Sequence, residues 1–221
     1  MKENHPGFFD KYKAAIFDLD GTLIDSMSLW ENICSDWLRS LGKIPGKTLE
    51  TDVWNMTLYQ SADYVKQNYK LDLSCKEIIF QWEDELTGRY MKNSKLKQGV
   101  KELLEALSSK KIKLGIATYS FTRSTEAILA HHGIFSYFSS FSYAHELTKK
   151  DPAFWLGAAA RLSTPAENCI VFEDSLSSLE GVRLAGMGIA AVFDSSCSEW
   201  PELSMASDIA LDFPGQALLY L

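Results

Sequence analysis

Long apolar runs are missing from this 221-residue chain: no window reaches the roughly 18 apolar residues that a membrane span requires. The first residues, M-K-E-N-H-P-G-F-F-D-K-Y-K, mix both charges around no apolar core, so they are expected to form a short tail, neither signal peptide nor anchor. Cysteine is scarce and unpatterned. Cys34, Cys75, Cys169 and Cys197 contain no C-x-x-C, which speaks against a zinc site or a disulfide framework and makes a reducing, cytoplasmic setting the simplest expectation. Positive charge is also short, with 22 Lys and Arg against 29 Asp and Glu and a formal net charge of −7. Nucleic acid and anionic membranes both need basic surface, so neither is expected as a partner. No internal repeat or low-complexity tract is present. The 46% hydrophobic composition suffices for one α/β domain with a smaller insertion, expected to be monomeric.

The chain is organised around residues Ala14 to Ser26, A-A-I-F-D-L-D-G-T-L-I-D-S. Ala14-Ala15-Ile16-Phe17 is an uncharged run of strand length, suited to a strand buried on both faces of a parallel sheet. Asp18 and Asp20 follow, and Gly21 lets the backbone turn sharply at the strand's end, where open α/β sheets bind ligands. Ionised carboxylates that close repel one another, and oxygen ligands on a tight turn suit a hard ion such as Mg²⁺. An ordinary acidic turn is the plain alternative. A calcium loop fails on register, because its pattern needs a third acid where Thr22 stands and a glycine two places beyond Gly21.

After Ser26 the spacing turns helical. Trp30, Ile33, Trp37 and Leu41 fall three or four apart, Ser28 and Glu31 offer a capping box, and Gly42 offers a stop. Residues 43–57 read mainly as loop, followed by helices near Ser61 to Tyr69 and Cys75 to Met91, the second with Ile78, Trp82, Leu86 and Tyr90 every four residues. The aromatic residues Trp54, Tyr59, Trp82 and Tyr90 are expected to pack inside this helical segment. Residues 27–94 thus form an all-helical cap inserted into a core made of residues 1–26 and 95–221. The stretch G-K-I-P-G-K-T, Gly42 to Thr48, imitates a phosphate-binding P-loop, but the motif requires glycine at Leu41 and a preceding strand.

From Gly99 onward helix and strand signals alternate: helices at 100–107, 125–132, 154–162 and 176–185, strands at 112–117, 138–144, 169–172 and 189–193. Such alternation predicts a doubly wound parallel sheet, with active groups at the carboxyl ends of its strands. Three such ends carry chemistry. Thr118, with the amide of Tyr119, can hold phosphate oxygens; Lys149 and Lys150 precede a helix; Glu173 and Asp174 end an apolar strand where unpaired carboxylates are unfavourable. Together Asp18, Asp20, Glu173 and Asp174 make a hard-cation site.

The run D-L-D-G-T-L-I-D-S resembles the first motif of the haloacid dehalogenase-like (HAD) hydrolases. The order of G-V-K-E-L-L-E-A-L, I-K-L-G-I-A-T, V-F-E-D-S and R-L-A-G-M after a helical insertion is similar to the branch of β-phosphoglucomutase-like and phosphoglycolate phosphatase-like members. The resemblance implies a Rossmann-like α/β core with a helical cap, Mg²⁺ as cofactor and a small phosphorylated substrate. It implies Asp18 as nucleophile, Asp20 as general acid and base lending its backbone carbonyl to the metal, and Thr118 as the phosphate-binding hydroxyl. Lys149 takes the lysine role, and Asp174 with Glu173 the metal role. The chain departs from the branch at the lysine motif, where Lys150 and Ala153 replace a proline and an acid and leave the choice between Lys149 and Lys150 open. Gln98 and Ser178 stand where proline and glycine are usual.

The resemblance thus implies a phosphomonoester hydrolase working through an aspartyl-phosphate. A dehalogenase is disfavoured by Asp20 and the Glu173-Asp174 pair. The alternatives are a β-phosphoglucomutase-like mutase and a non-catalytic phospholigand-binding protein. A mutase must hold a second phosphate, best with arginine, and no arginine lies between Arg39 and Arg89; the loop 43–57 offers only Lys43 and Lys47.

Overall fold

The computed structural model describes residues 6–54, 56–144 and 147–221. Its elements run β1 (Ala14–Phe17), β2 (Ile24–Asp25), α1 (Met27–Trp30), α2 (Ile33–Ser40), α3 (Leu49–Val53), α4 (Leu58–Tyr69) and α5 (Cys75–Asn93). They continue β3 (Lys95–Leu96), α6 (Val100–Ser109), β4 (Lys113–Thr118), α7 (Thr122–His131), β5 (Ser140–Tyr143) and α8 (Pro152–Arg161). The chain then closes with β6 (Cys169–Glu173), α9 (Leu176–Leu184), β7 (Gly188–Val192), α10 (Trp200–Ala206) and β8 (Ile209–Leu211).

Six strands form one parallel sheet in the order β5-β4-β1-β6-β7-β8. The apolar tetrapeptide becomes its centre: β1 pairs with β4 on one side and β6 on the other, and all four of its residues are buried. Because side chains alternate across a strand, Ala15 and Phe17 enter one core with α6 and α7, while Ala14 and Ile16 enter a second with α8 and α9. The chain passes from β1 to β4 and β5, then crosses to β6. That reversal opens a crevice at the carboxyl ends of β1 and β6, the usual binding place in such sheets.

β2 and β3 form a separate antiparallel pair, Ile24 opposite Leu96 and Asp25 opposite Lys95, where the chain leaves for α1–α5 and returns. Lys97, just after β3, pairs with Asp194 beyond β7 at 2.8 Å, and both are largely buried. The helices of the insertion are specified locally: Thr57 with Gln60 and Ser74 with Glu77 complete capping boxes for α4 and α5. Ile78, Trp82, Leu86 and Tyr90 are all buried along α5, as their four-residue spacing predicts.

Several local expectations are corrected. The helix expected to run unbroken to Leu41 is split, because Asn32 takes a left-handed conformation (φ 58°) between α1 and α2. The Ser28–Glu31 capping box is absent: Ser26 precedes α1 and Glu31 ends it. The loop 43–57 contains α3, whose Leu49 and Val53 are buried. Behind the first residues, which lie outside the described range, Phe9 is fully buried and stacks on Phe172 at 5.9 Å, so this part of the expected tail belongs to the core. No described helix is long and apolar enough to cross a membrane.

Candidate active site

Asp18 leaves β1 directly into the crevice and is 5% exposed. The turn after it closes through Leu23 and Ile24 amides donating to the Leu19 carbonyl and Gly21 N–H to the Ile24 carbonyl, at 2.9–3.0 Å. Gly21 has φ +82°, and a Cβ there would collide with the Asp174 carboxylate, so glycine is required both by conformation and by the approach of β6. Across the crevice, β6 delivers Glu173 and Asp174, both buried. Asp174 accepts from the Thr22 hydroxyl at 3.1 Å.

Lys149 is the pivot. Its Nζ donates to Asp18 Oδ1 and, at 2.7 Å, to Glu173 Oε1, and the side chain is 2% exposed. Lys150 is exposed at the edge of the same cavity, and of the two it is Lys149 whose ammonium meets Asp18 and Glu173. The lysine is aimed by its backbone. Its N–H donates to the Tyr119 hydroxyl at 2.7 Å, its carbonyl accepts from Trp155 Nε1 at 2.7 Å, and Gly181 of α9 leaves room for that carbonyl, which a Cβ would strike. Asp151 caps α8 by accepting from Ala153 N–H at 2.8 Å, with Pro152 at the first helical turn. The acid replaced by Ala153 is therefore not needed to order this loop.

Asp20 points elsewhere. Its Oδ1 accepts from the Ser26 hydroxyl at 2.6 Å and from the Tyr90 hydroxyl of α5, while its buried Oδ2 has no hydrogen-bond partner among the described residues. Tyr90, expected inside the helical segment, thus reaches the site, and Trp82 lines the cavity; Trp54 and Tyr59 are exposed rather than buried. Thr118 ends β4, 1% exposed, accepting from Ser120 N–H at 2.9 Å. Tyr119 follows it, lining the same cavity, and its hydroxyl accepts from the Lys149 N–H.

One ammonium for so many carboxylates leaves the site short of positive charge. Burial, and then the neighbouring Glu173 charge, push Asp18 up to about 7 even though Lys149 pulls the other way. Burial, Glu173 and Asp18 likewise hold Asp174 well above the usual carboxylate range. Lys149 moves up too, burial being outweighed by Asp18 and Glu173. Both partners of the Asp18–Lys149 contact rise because the lysine keeps its proton while the acids compete for another. Burial raises Asp20, with Ser26 and Tyr90 opposing.

Asp18, Glu173 and Asp174 each bring one oxygen within 4.8 Å of the others, all buried. Hard oxygen donors carrying uncompensated negative charge fit a divalent cation such as Mg²⁺. The two Glu173 oxygens already accept from Lys149 Nζ and, at 2.8 Å, from Ser175 N–H, so Asp18 and Asp174 are the side chains left to face an ion. Sequence reasoning missed Ser26, Thr22, Trp155 and the Tyr90 hydroxyl. Only Thr22 and Ser26, inside the first motif, had any positional signal.

Residues 15–192 match the sequence profile of the haloacid dehalogenase-like hydrolases. The chain belongs to that family and is an enzyme of its phosphatase class, a phosphoric monoester hydrolase. It is 26% identical over 208 residues to the phosphorylated carbohydrates phosphatase of Thermotoga maritima, covering 93% of this chain and 96% of that one. It is 27% identical over 179 residues to hexitol phosphatase B of Escherichia coli strain K12, covering 79% and 80%. Its fold superposes with TM-score 0.80 on Rhodobacter sphaeroides CbbY in complex with phosphate, at 19% identity and covering 93% and 96%.

Proposed function

We propose that this chain is a Mg²⁺-dependent hydrolase of small phosphorylated metabolites, working through an aspartyl-phosphate on Asp18 beneath a cap formed by residues 27–94. The observation that carries the reading is the buried Lys149 ammonium shared by Asp18 and Glu173 beside Asp174, at the carboxyl ends of β1 and β6. Mg²⁺, held by the Asp18 and Asp174 carboxylates and the Asp20 backbone carbonyl, would supply positive charge to the oxygens of the transferring group.

The chain's own residues do the rest. A carboxylate oxygen of Asp18 attacks phosphorus, the bond from phosphorus to the leaving oxygen breaks, and Asp20 protonates the departing alcohol. Asp20, now a carboxylate, takes a proton from water as that water attacks the phosphorus. The bond to Asp18 breaks and inorganic phosphate leaves. A carboxyl group that burial makes harder to ionise suits the first step, and the Ser26 and Tyr90 hydroxyls stabilise the carboxylate needed for the second. Lys149 and the Thr118 hydroxyl, with the Tyr119 amide, spread the charge of the transferred group. The relatives named as phosphatases of phosphorylated carbohydrates and hexitols support a small phosphorylated substrate.

Hydrolysis of an aryl phosphate with and without Mg²⁺ tests the reading. Wild type is expected to turn over only with the metal, and Asp18→Asn is expected to lose on the order of 10⁴-fold or more, as removal of a covalent nucleophile does. Equal rates for the two proteins would remove Asp18 as nucleophile.

A further inference from the structure

Above the catalytic carboxylates lies a cavity of about 290 Å³ whose far wall comes from α1–α5 and the loops joining them. That wall is apolar and aromatic: Trp30, Ile33, Val53, Trp54 and Trp82 line it, together with Phe121 from the loop after β4. Trp30 and Phe121 stack nearly parallel beside the site, 6.0 Å apart and 11° between planes. Trp82 is 2% exposed, yet its indole N–H is buried without a hydrogen-bond partner among the described residues. A buried donor with no acceptor is unfavourable, which leaves a place for an acceptor on whatever fills the cavity that Trp82 lines.

Charge sets the second constraint. Among the described residues, the cations of the lining are Lys149 and Lys150, both on the catalytic loop. The far wall holds one ionisable carboxyl, Glu50, anchored by accepting from Ser35 N–H at 2.8 Å. Arg89 is bound to Asp36, Glu85 and the carbonyls of Leu29 and Glu31, outside the cavity lining. Arg39 is taken by Asp36, outside the cavity lining. Against the far wall a second phosphate or a sugar acid would therefore meet Glu50 and indole rings, the exposed cation Lys150 lying on the catalytic loop opposite.

We infer that the enzyme takes monophosphates of neutral, ring-bearing alcohols, with Trp30, Trp54 and Trp82 receiving the ring and Glu50 excluding a second anionic group. The inference rests on the hydrolase reading and names its substrate class. An apolar cavity with a few polar groups selects by shape and by the groups it leaves unpaired.

The test compares kcat/KM, with Mg²⁺, for benzyl phosphate, glycerol 3-phosphate, 6-phosphogluconate and fructose 1,6-bisphosphate. Binding of non-hydrolysable benzylphosphonate is followed by tryptophan fluorescence. Benzyl phosphate is expected to lead the anionic pair by ~10-fold or more. Trp54→Ala, a change at a residue 63% exposed and so safe for folding, is expected to lower benzyl phosphate kcat/KM by ~3- to 10-fold, mainly through KM. Glu50→Lys is expected to raise use of the bisphosphate by ~10-fold. A bisphosphate or sugar-acid preference in wild type, with phosphate released, overturns the inference and leaves the hydrolase reading standing. Selective benzylphosphonate binding without turnover of any substrate does the reverse.

Discussion

The floor of the cavity, at the ends of β1, β4 and β6, concentrates Asp18, Asp20, Glu173 and Asp174 around one lysine, whereas its roof, on α1–α5, offers a single carboxylate among indoles and aliphatic side chains. The floor rests on a sheet fixed by backbone pairing on both sides of β1, so its charged groups are held against their own repulsion. The roof rests on helices α1–α5, of which α4 and α5 carry capping boxes and α2 and α5 bury apolar stripes. On the reading proposed above, groups that need sub-ångström placement sit on the rigid layer, and groups that would select a leaving group sit on the layer that sequence change can remodel. Tyr90, rooted in α5, reaches from one to the other and donates to Asp20 on the floor.

If floor and roof divide chemistry from selection in this way, floor changes must depress turnover of every substrate. Asp20→Asn should do so by on the order of 10²- to 10⁴-fold, the range of general acid–base catalysis, while Mg²⁺ still binds, since its assigned metal contact is through the backbone. Complete loss of Mg²⁺ affinity in a calorimetric titration would refute that division of labour within one residue.

Asp174→Ala should weaken Mg²⁺ by at least ~10-fold, readable as a shifted Mg²⁺ dependence of activity. A titration identical to wild type would move the metal elsewhere. Tyr90→Phe sharpens the comparison, because it removes one hydroxyl from the floor and leaves the roof's packing in place. We expect kcat to fall by ~3- to 10-fold, in keeping with the net worth of one hydrogen bond, on good and poor substrates alike. An effect confined to KM would make Tyr90 a roof residue.

The smallest effect concerns stability. In metal-free protein Asp18 titrates near 7, above its ordinary 3.8. The folded state therefore holds a proton that the unfolded chain has released, and stability falls as pH rises through that window. Asp18→Asn removes the group that must ionise, so in chelator-treated protein at pH 8 its thermal midpoint should exceed wild type by at least ~3 °C. The gain should vanish at about pH 3, below both values, where Asp18 is mostly protonated in the folded and the unfolded states alike. No gain at pH 8 would mean that Lys149 already neutralises Asp18 fully.

Much of the floor was legible from residue order. Four uncharged residues followed by D-x-D-G can hardly be anything but a buried strand and its terminal turn, and V-F-E-D and G-I-A-T repeat the same logic. The roof was legible only where spacing was regular, as on α5. Asn32 breaks the helical pattern without a glycine or proline to announce it, and α3 forms in a stretch of Gly, Pro and Thr because Leu49 and Val53 are buried against the other helices.

By itself the sequence determined the central strand, the parallel alternation around it, and the identity of Asp18, Asp20, Thr118, Glu173 and Asp174 as strand-end chemistry, since strand length, apolarity and turn residues are local properties. Tertiary structure alone decided between Lys149 and Lys150. That choice depends on Tyr119, Trp155 and Gly181 meeting one backbone segment. It alone turned Tyr90, 70 residues away in sequence, toward Asp20. It also assigned both Glu173 oxygens to Lys149 and Ser175. Such partners are chosen by distance across packed elements, and no spacing along the chain encodes a distance that only packing creates.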